Sequence, residues 1–242
     1  MKLLFKNIKY ILFDFDGTLL PMDIDTFLNG YLNSLSTRMS VLGMPKKTII
    51  GIIIKGTEAM FRNDGSKTNK DAFWDTFNSL VNENKEEYLR LSDEYYKTEY
   101  NECKKYVGEN NLALELVTLF KEKFEKVILA TNPLFPYEAQ KTRISWVGLN
   151  ENNFDYITAY ENSHYTKPNP KYYLEIIDKL GLNPNECLMI GNDVTEDMIT
   201  CGKAGIKGLL VTDWIIDNNK WDGLRVTFNE LLDFIKDYNV KE

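Results

Sequence analysis

The sequence predicts an α/β fold, a doubly wound parallel sheet interrupted by an inserted all-helical domain. Three observations carry that expectation. Five short apolar runs, Tyr10–Phe13, Val127–Ala130, Tyr156–Thr158, Leu188–Ile190 and Leu209–Val211, each end in polar or turn residues, as strands buried on both faces do. Helical patterns separate most of these runs. Between the first two runs, however, residues 22–104 carry helical periodicity and no strand, whereas a right-handed crossover needs only one helix.

Taken in order, the first run leads directly into Asp14. Helices are then predicted over Ile24–Val41, Pro45–Arg62, Asp71–Val81 and Lys85–Lys104. Pro45 suits a first helical position, and Asn63-Asp64-Gly65 is a turn signal. These helices form the insertion, residues 22–104, within a core of residues 1–21 and 105–242. Phe73, Trp74, Phe77, Tyr88, Tyr95, Tyr96 and Tyr100 are expected to fill the insertion's own core, and the Ile49–Ile54 cluster to pack against it. Returning to the core, Leu112–Phe124 repeats apolar residues at helical spacing. After the second run, Asn132 reads as a helix cap and Pro133 as the first helical residue. Tyr172–Leu180 is a helix stopped by Gly181, with Pro184 beyond. Gly202-Lys203-Ala204-Gly205 lacks the full phosphate-loop pattern and reads as a helix end turning into the fifth strand.

Composition narrows the function classes. The chain has 242 residues, 43% hydrophobic and 27% charged, which is globular rather than disordered. A formal charge of −7 argues against nucleic acid or an anionic membrane as partner. No run approaches the ~18 apolar residues of a membrane span. Cys103, Cys187 and Cys201 are odd in number and form no C-x-x-C pair. Free thiols in a reducing, cytoplasmic setting are therefore expected. The single histidine, His164, excludes a His-rich zinc site and, in its polar loop, reads as a surface residue.

The chemistry gathers at strand ends. Asp14-Phe15-Asp16-Gly17-Thr18-Leu19 follows the first run directly. Residues i and i+2 of a strand share a side, so both carboxylates should project from the strand's C-terminal end, where open α/β sheets bind ligands. Two carboxylates this close need a cation or a proton between them. A second acidic cluster, Gly191-Asn192-Asp193-Val194-Thr195-Glu196-Asp197, follows the fourth run. Asp193 and Asp197 would share a helical face, and Asp193 with Glu196 also forms a capping-box pattern. Oxygen donors without histidine point to Mg²⁺. Thr131 ends the second run, and Lys167 follows the third, stiffened by Pro168.

The order Asp14/Asp16, Thr131, Lys167, Asp193/Asp197 on four strand ends resembles the four motifs of the haloacid dehalogenase (HAD) superfamily. Among its members the chain is most similar to the capped phosphoglycolate-phosphatase-like and β-phosphoglucomutase-like ones. The resemblance implies a Rossmann-like sheet of strand order 5-4-1-2-3 and a helical cap at residues 22–104. It also implies a Mg²⁺-dependent phosphatase acting on a small phosphorylated metabolite. Asp14 would be the nucleophile and Asp16 the acid and base. The ion would be held by Asp14, the Asp16 carbonyl and Asp193, with Asp197 in or just outside its ligand set. Thr131, with Asn132 beside it, would bind the phosphoryl group, and Lys167 would neutralise it and Asp14. A phosphomutase, or a binding protein that keeps the fold without turnover, fits the same motifs. A dehalogenase fits less well because that branch lacks the second aspartate, here Asp16. Neither the substrate nor the oligomeric state is legible in the sequence.

Overall fold

The computed structural model describes residues 1–239. A short helix α1 (Lys2–Phe5) precedes β1 (Tyr10–Phe13). Four helices follow, α2 (Ile24–Met39), α3 (Lys46–Phe61), α4 (Asn69–Leu80) and α5 (Lys85–Lys97), then a 3₁₀ stretch, Glu99–Tyr106. The core resumes with α6 (Ala113–Lys123), β2 (Lys126–Leu129), α7 (Tyr137–Ser145), β3 (Tyr156–Ile157) and α8 (Pro170–Leu180). It closes with β4 (Cys187–Gly191), α9 (Thr200–Lys203), β5 (Lys207–Val211), β6 (Arg225–Val226) and α10 (Phe228–Asp237).

All strand pairings are parallel, in the order β3-β2-β1-β4-β5-β6. Read from the other edge, the first five strands run 5-4-1-2-3, as expected. The sixth extends the sheet beyond β5. It escapes sequence reading because it has two residues and only Val226 is buried.

The two-residue period of the strands divides the core into two layers. Ile11, Phe13, Val127, Leu129, Leu188 and Ile190 pack with Leu116, Phe120, Leu231 and Ile235 of α6 and α10. Leu12, Ile128, Met189 and Leu210 pack instead with Tyr172, Tyr173 and Ile176 of α8 and Cys201 of α9. Burial on both faces is why these strands read as continuous apolar runs.

The expected fourth helix of the insertion is shorter than its periodicity suggests. It stops at Lys97, where Thr98 leaves helical backbone (φ −126°, ψ −83°), and the chain continues in 3₁₀ geometry. α4 starts two residues early because the Thr68 side chain caps it, accepting the Asp71 amide at 3.1 Å. Trp74, Phe77, Tyr88, Tyr95, Tyr96 and Tyr100 are buried, as are Ile49, Ile52 and Ile53, while Ile54 is exposed. No helix among the described residues is long and apolar enough to cross a membrane.

Candidate active site

The site is built where β1 and β4 end. The Asp14 amide donates to the Ile190 carbonyl at 2.9 Å, carrying the ladder one residue past β1. The chain then turns tightly, with the amides of Thr18, Leu19 and Leu20 all converging on the Phe15 carbonyl. Gly17 has φ +80° in this turn, and a Cβ there would strike the Asn192 side-chain amide. Only glycine meets both constraints without strain. The turn places the Thr18 hydroxyl 3.1 Å from Asp14 Oδ2 and 3.2 Å from Asn192 Oδ1. Gly17→Ala is expected to cost ~1–2 kcal/mol of stability through backbone strain and, by displacing Asn192 from the Thr18 hydroxyl beside Asp14, to lower turnover. Steady-state kinetics on the folded variant checks this.

A buried cation joins the two acidic clusters. Lys167 is fully enclosed, with its Nζ 2.8 Å from Asp14 Oδ1 and 2.6 Å from Asp197 Oδ1. Burial alone would lower the lysine pKa, but the charges of Asp14 and Asp197 outweigh it and hold the ammonium well above the ordinary value. Burial pushes the Asp14 carboxyl up to about 6, with Asp197 adding to the rise and Lys167 opposing it. Both oxygens of Asp197 are engaged. Oδ1 takes Lys167, and Oδ2 accepts the amides of Asn192 and Asp193, each at 3.1 Å. Its geometry therefore braces the β4 turn.

Asp193 caps the next segment as expected, its Oδ1 accepting the amides of Thr195 and Glu196 at 2.7 and 2.8 Å. That segment, Val194–Ile199, is a π-helix. The capping box is not completed by Glu196. The Asp193 amide goes to Asp197 instead, and Glu196 turns to the Asn132 amide at 3.0 Å. Burial raises the pKa of Asp193, opposed by the two amides it accepts. Burial likewise pushes Glu196 up to about 7, with Lys167 opposing.

The reading of Asn132 and Pro133 as a helix start is corrected by the structure. α7 begins at Tyr137 with Pro136 at its cap. Asn132 instead ties two loops together, its Oδ1 accepting the Lys167 amide at 3.2 Å. The adjacent Thr131 carbonyl accepts the hydroxyls of Thr158 and Tyr172 at 2.7 and 2.8 Å. Those bonds fix the Thr131 backbone and leave its hydroxyl without a partner among the described residues. His164 lies away from this cluster, its Nδ1 2.7 Å from Glu175 Oε1.

One site residue was not read from the sequence. Arg143 of α7 is completely buried, stacked over the rings of Phe135, Phe15 and Phe27 at 4.8, 5.4 and 5.7 Å, and its guanidinium pairs with Asp16. Burial lowers its pKa to about 9, with Asp14 opposing. The legible signal was an arginine three residues after Gln140 on a helix face shared with Ala139 and Ile144, all of them buried. Polar residues on an apolar face imply a buried partner.

These side chains surround one cavity of about 670 Å³. Asp14, Asp16, Thr131, Asn132, Asp193 and Asp197 line it, while Lys167 lies beneath its floor against Asp14. Among the described residues, no group of three or more His, Cys, Asp or Glu side chains is clustered to chelate a metal unaided. Asp193 keeps its Oδ2 free of hydrogen bonds among the described residues and lines the same cavity as a second carboxylate, Asp14, in an oxygen-only donor set. That suits Mg²⁺, which is typically held by one or two carboxylates plus water and substrate phosphate.

Comparison with known proteins agrees with this arrangement. The sequence pattern of the haloacid dehalogenase-like hydrolase family matches residues 11–211. Two curated relatives match over short stretches. Phospholysine phosphohistidine inorganic pyrophosphate phosphatase of Xenopus laevis is 36% identical over 45 residues, 19% of this chain and 17% of that protein. Glyceraldehyde 3-phosphate phosphatase of Methanothermobacter thermautotrophicus is 28% identical over 78 residues, 31% of this chain and 34% of that protein. The chain thus spans about a third of these relatives' lengths at most. Two solved structures share the fold over nearly the whole chain. A Bacillus subtilis HAD-hydrolase bound to magnesium has a TM-score of 0.55 at 17% identity, covering 96% of this chain and 100% of its own. The 2-haloacid dehalogenase of Pseudomonas syringae pv. Tomato DC3000 has a TM-score of 0.61 at 15% identity, covering 93% and 98%. With strand ends, turn and family pattern in agreement over residues 11–211, the chain belongs to the haloacid dehalogenase-like hydrolase family.

Proposed function

We propose that this chain is a Mg²⁺-dependent phosphatase that hydrolyses a small phosphorylated substrate through an aspartyl-phosphate on Asp14. The observation that carries the reading is the Asp14 carboxylate, held by Thr18 and by an enclosed ammonium group, in a cavity that Asp193 also lines. In the first step an Asp14 oxygen attacks phosphorus and the ester oxygen leaves, taking a proton from Asp16. In the second, Asp16 accepts a proton from the water that attacks phosphorus, and Asp14 is released. For the acid step Asp16 would turn from the Arg143 guanidinium, with which it pairs, toward the ester oxygen.

A carboxylate approaching a phosphate dianion faces like-charge repulsion. Lys167 offsets part of it through Asp14, and the free Thr131 hydroxyl is positioned to donate to a phosphoryl oxygen. Mg²⁺ would be held by Asp14, the Asp16 carbonyl and Asp193, with Asp197 bracing the turn. When bound, it would neutralise charge on the transferring phosphoryl group. Residues 22–104 would act as a cap over residues 1–21 and 105–242, excluding bulk water. Buried free cysteines suit a cytoplasmic protein.

The test is phosphate release from an aryl phosphate. Activity is expected with Mg²⁺, loss on chelation and recovery on re-addition. Accumulation of an isomeric sugar phosphate in place of free phosphate would indicate a phosphomutase. Binding of Mg²⁺ without turnover of any ester would indicate a non-catalytic protein.

A further inference from the structure

A second cavity of about 260 Å³ opens between the helical insertion and the loop after β2. It shares Leu28, Thr57, Phe61, Leu134 and Phe135 with the acidic cavity, so the two are adjoining chambers with a common wall. Its remaining lining is largely aliphatic and aromatic, drawn from α2, α3 and α4 together with Tyr96, Pro136 and Tyr160.

Most polar atoms there are already committed; the Ser92 hydroxyl, which also lines the chamber, is bonded to no described residue. The hydroxyls of Tyr31 and Tyr96 bond each other at 2.5 Å, and the Thr57 hydroxyl donates to the Ile53 carbonyl at 3.0 Å. Trp74 Nε1 reaches the Tyr160 hydroxyl at 3.5 Å. Apart from the Ser92 hydroxyl, no buried polar side-chain atom of this lining lacks a partner among the described residues. The one charged residue lining it, Glu58, is paired with Arg62. No lysine or arginine lines either cavity.

Each feature selects a leaving group. A sugar carries more hydroxyls than the Ser92 and Tyr160 hydroxyls could pair, and each one buried without a partner costs ~1–3 kcal/mol. A substrate with a carboxylate or a second phosphate would find no cation to receive it. An apolar group would lose only its hydration. A cavity of ~150 Å³ accommodates benzene, so this one has room for roughly six to ten carbons.

Resting on the phosphatase reading above, we infer that the substrate is a phosphate monoester of an apolar alcohol. Its aryl or branched alkyl group occupies the second chamber while the phosphoryl group meets Asp14.

The experiment measures kcat/KM for a series of n-alkyl and phenylalkyl phosphates beside a hexose phosphate and phosphoglycolate. A parallel arm measures calorimetric binding of the matching free phenylalkyl alcohol. The specificity constant should rise about three- to fourfold per methylene, at ~0.8 kcal/mol each, until the chamber is full. The hexose phosphate and phosphoglycolate should fall at least about tenfold below the best alkyl ester. Leu32→Trp or the more exposed Ile54→Trp should fill the chamber and flatten that dependence. Either variant serves if the other fails to fold. Hydrolysis with no chain-length dependence, or with a hexose phosphate or phosphoglycolate preferred, would overturn the substrate class and leave the phosphatase reading standing. Alcohol binding without hydrolysis of any ester would overturn the phosphatase reading, and the substrate assignment with it.

Discussion

Asp14→Asn is expected to lower Mg²⁺-dependent phosphate release by at least about 10⁴-fold, the scale on which removing a nucleophile acts. The protein should remain folded. Asp14 is nearly buried and its carboxyl is pushed up to about 6, chiefly by desolvation. A carboxyl with a raised folded-state pKa favours folding at low pH, and that contribution is lost as pH rises through the folded value. At pH 7 the ionised Asp14 therefore destabilises the metal-free protein, by roughly 2–3 kcal/mol. Asn cannot ionise. The variant should lack the stability loss that wild type shows between the ordinary carboxylate range and pH 6, which chelator-treated samples melted across pH will reveal. Function is thus held at the expense of stability, as strained active sites commonly are.

Lys167→Met should act in the opposite sense on stability. The side chain is enclosed, and its removal leaves Asp14 and Asp197 facing each other without a cation. Breaking a buried pair from one side costs about 3–5 kcal/mol, or a Tm fall of roughly 6–20 °C for a chain of this size. Turnover should collapse as well, because the Asp14 carboxylate loses the charge that keeps it ionised. Lys167→Met combined with Asp197→Asn removes one of the stranded charges and should recover part of the stability but not the activity. Calorimetry together with the phosphate assay separates the two effects.

How much of this was legible depended on how local the cause was. Asp14 and Asp16 were readable because a strand's period and a following turn fix their direction over four residues. The five main strands were readable because both faces are buried. Lys167 could be found as a residue, but its complete enclosure depends on α8, β4 and β1 meeting, which no local pattern reveals. Asn132-Pro133 misled because a cap signature also suits a loop that ties Lys167 to Glu196. The capping box at Asp193 was half right. A π-helix moved Asp197, rather than Glu196, under the Asp193 amide. Arg143 lay in a helix without a motif, and only its partner 127 residues earlier explains it.

The most direct test of the mechanism is to catch the intermediate. Wild-type protein mixed with a phosphate ester and Mg²⁺ in a single turnover, quenched in acid and digested, should yield one peptide heavier by one phosphoryl group. The added mass should map to Asp14 and be absent from Asp14→Asn. Full turnover with no phosphorylated peptide, or with the phosphoryl group on another residue, would contradict nucleophilic attack by Asp14.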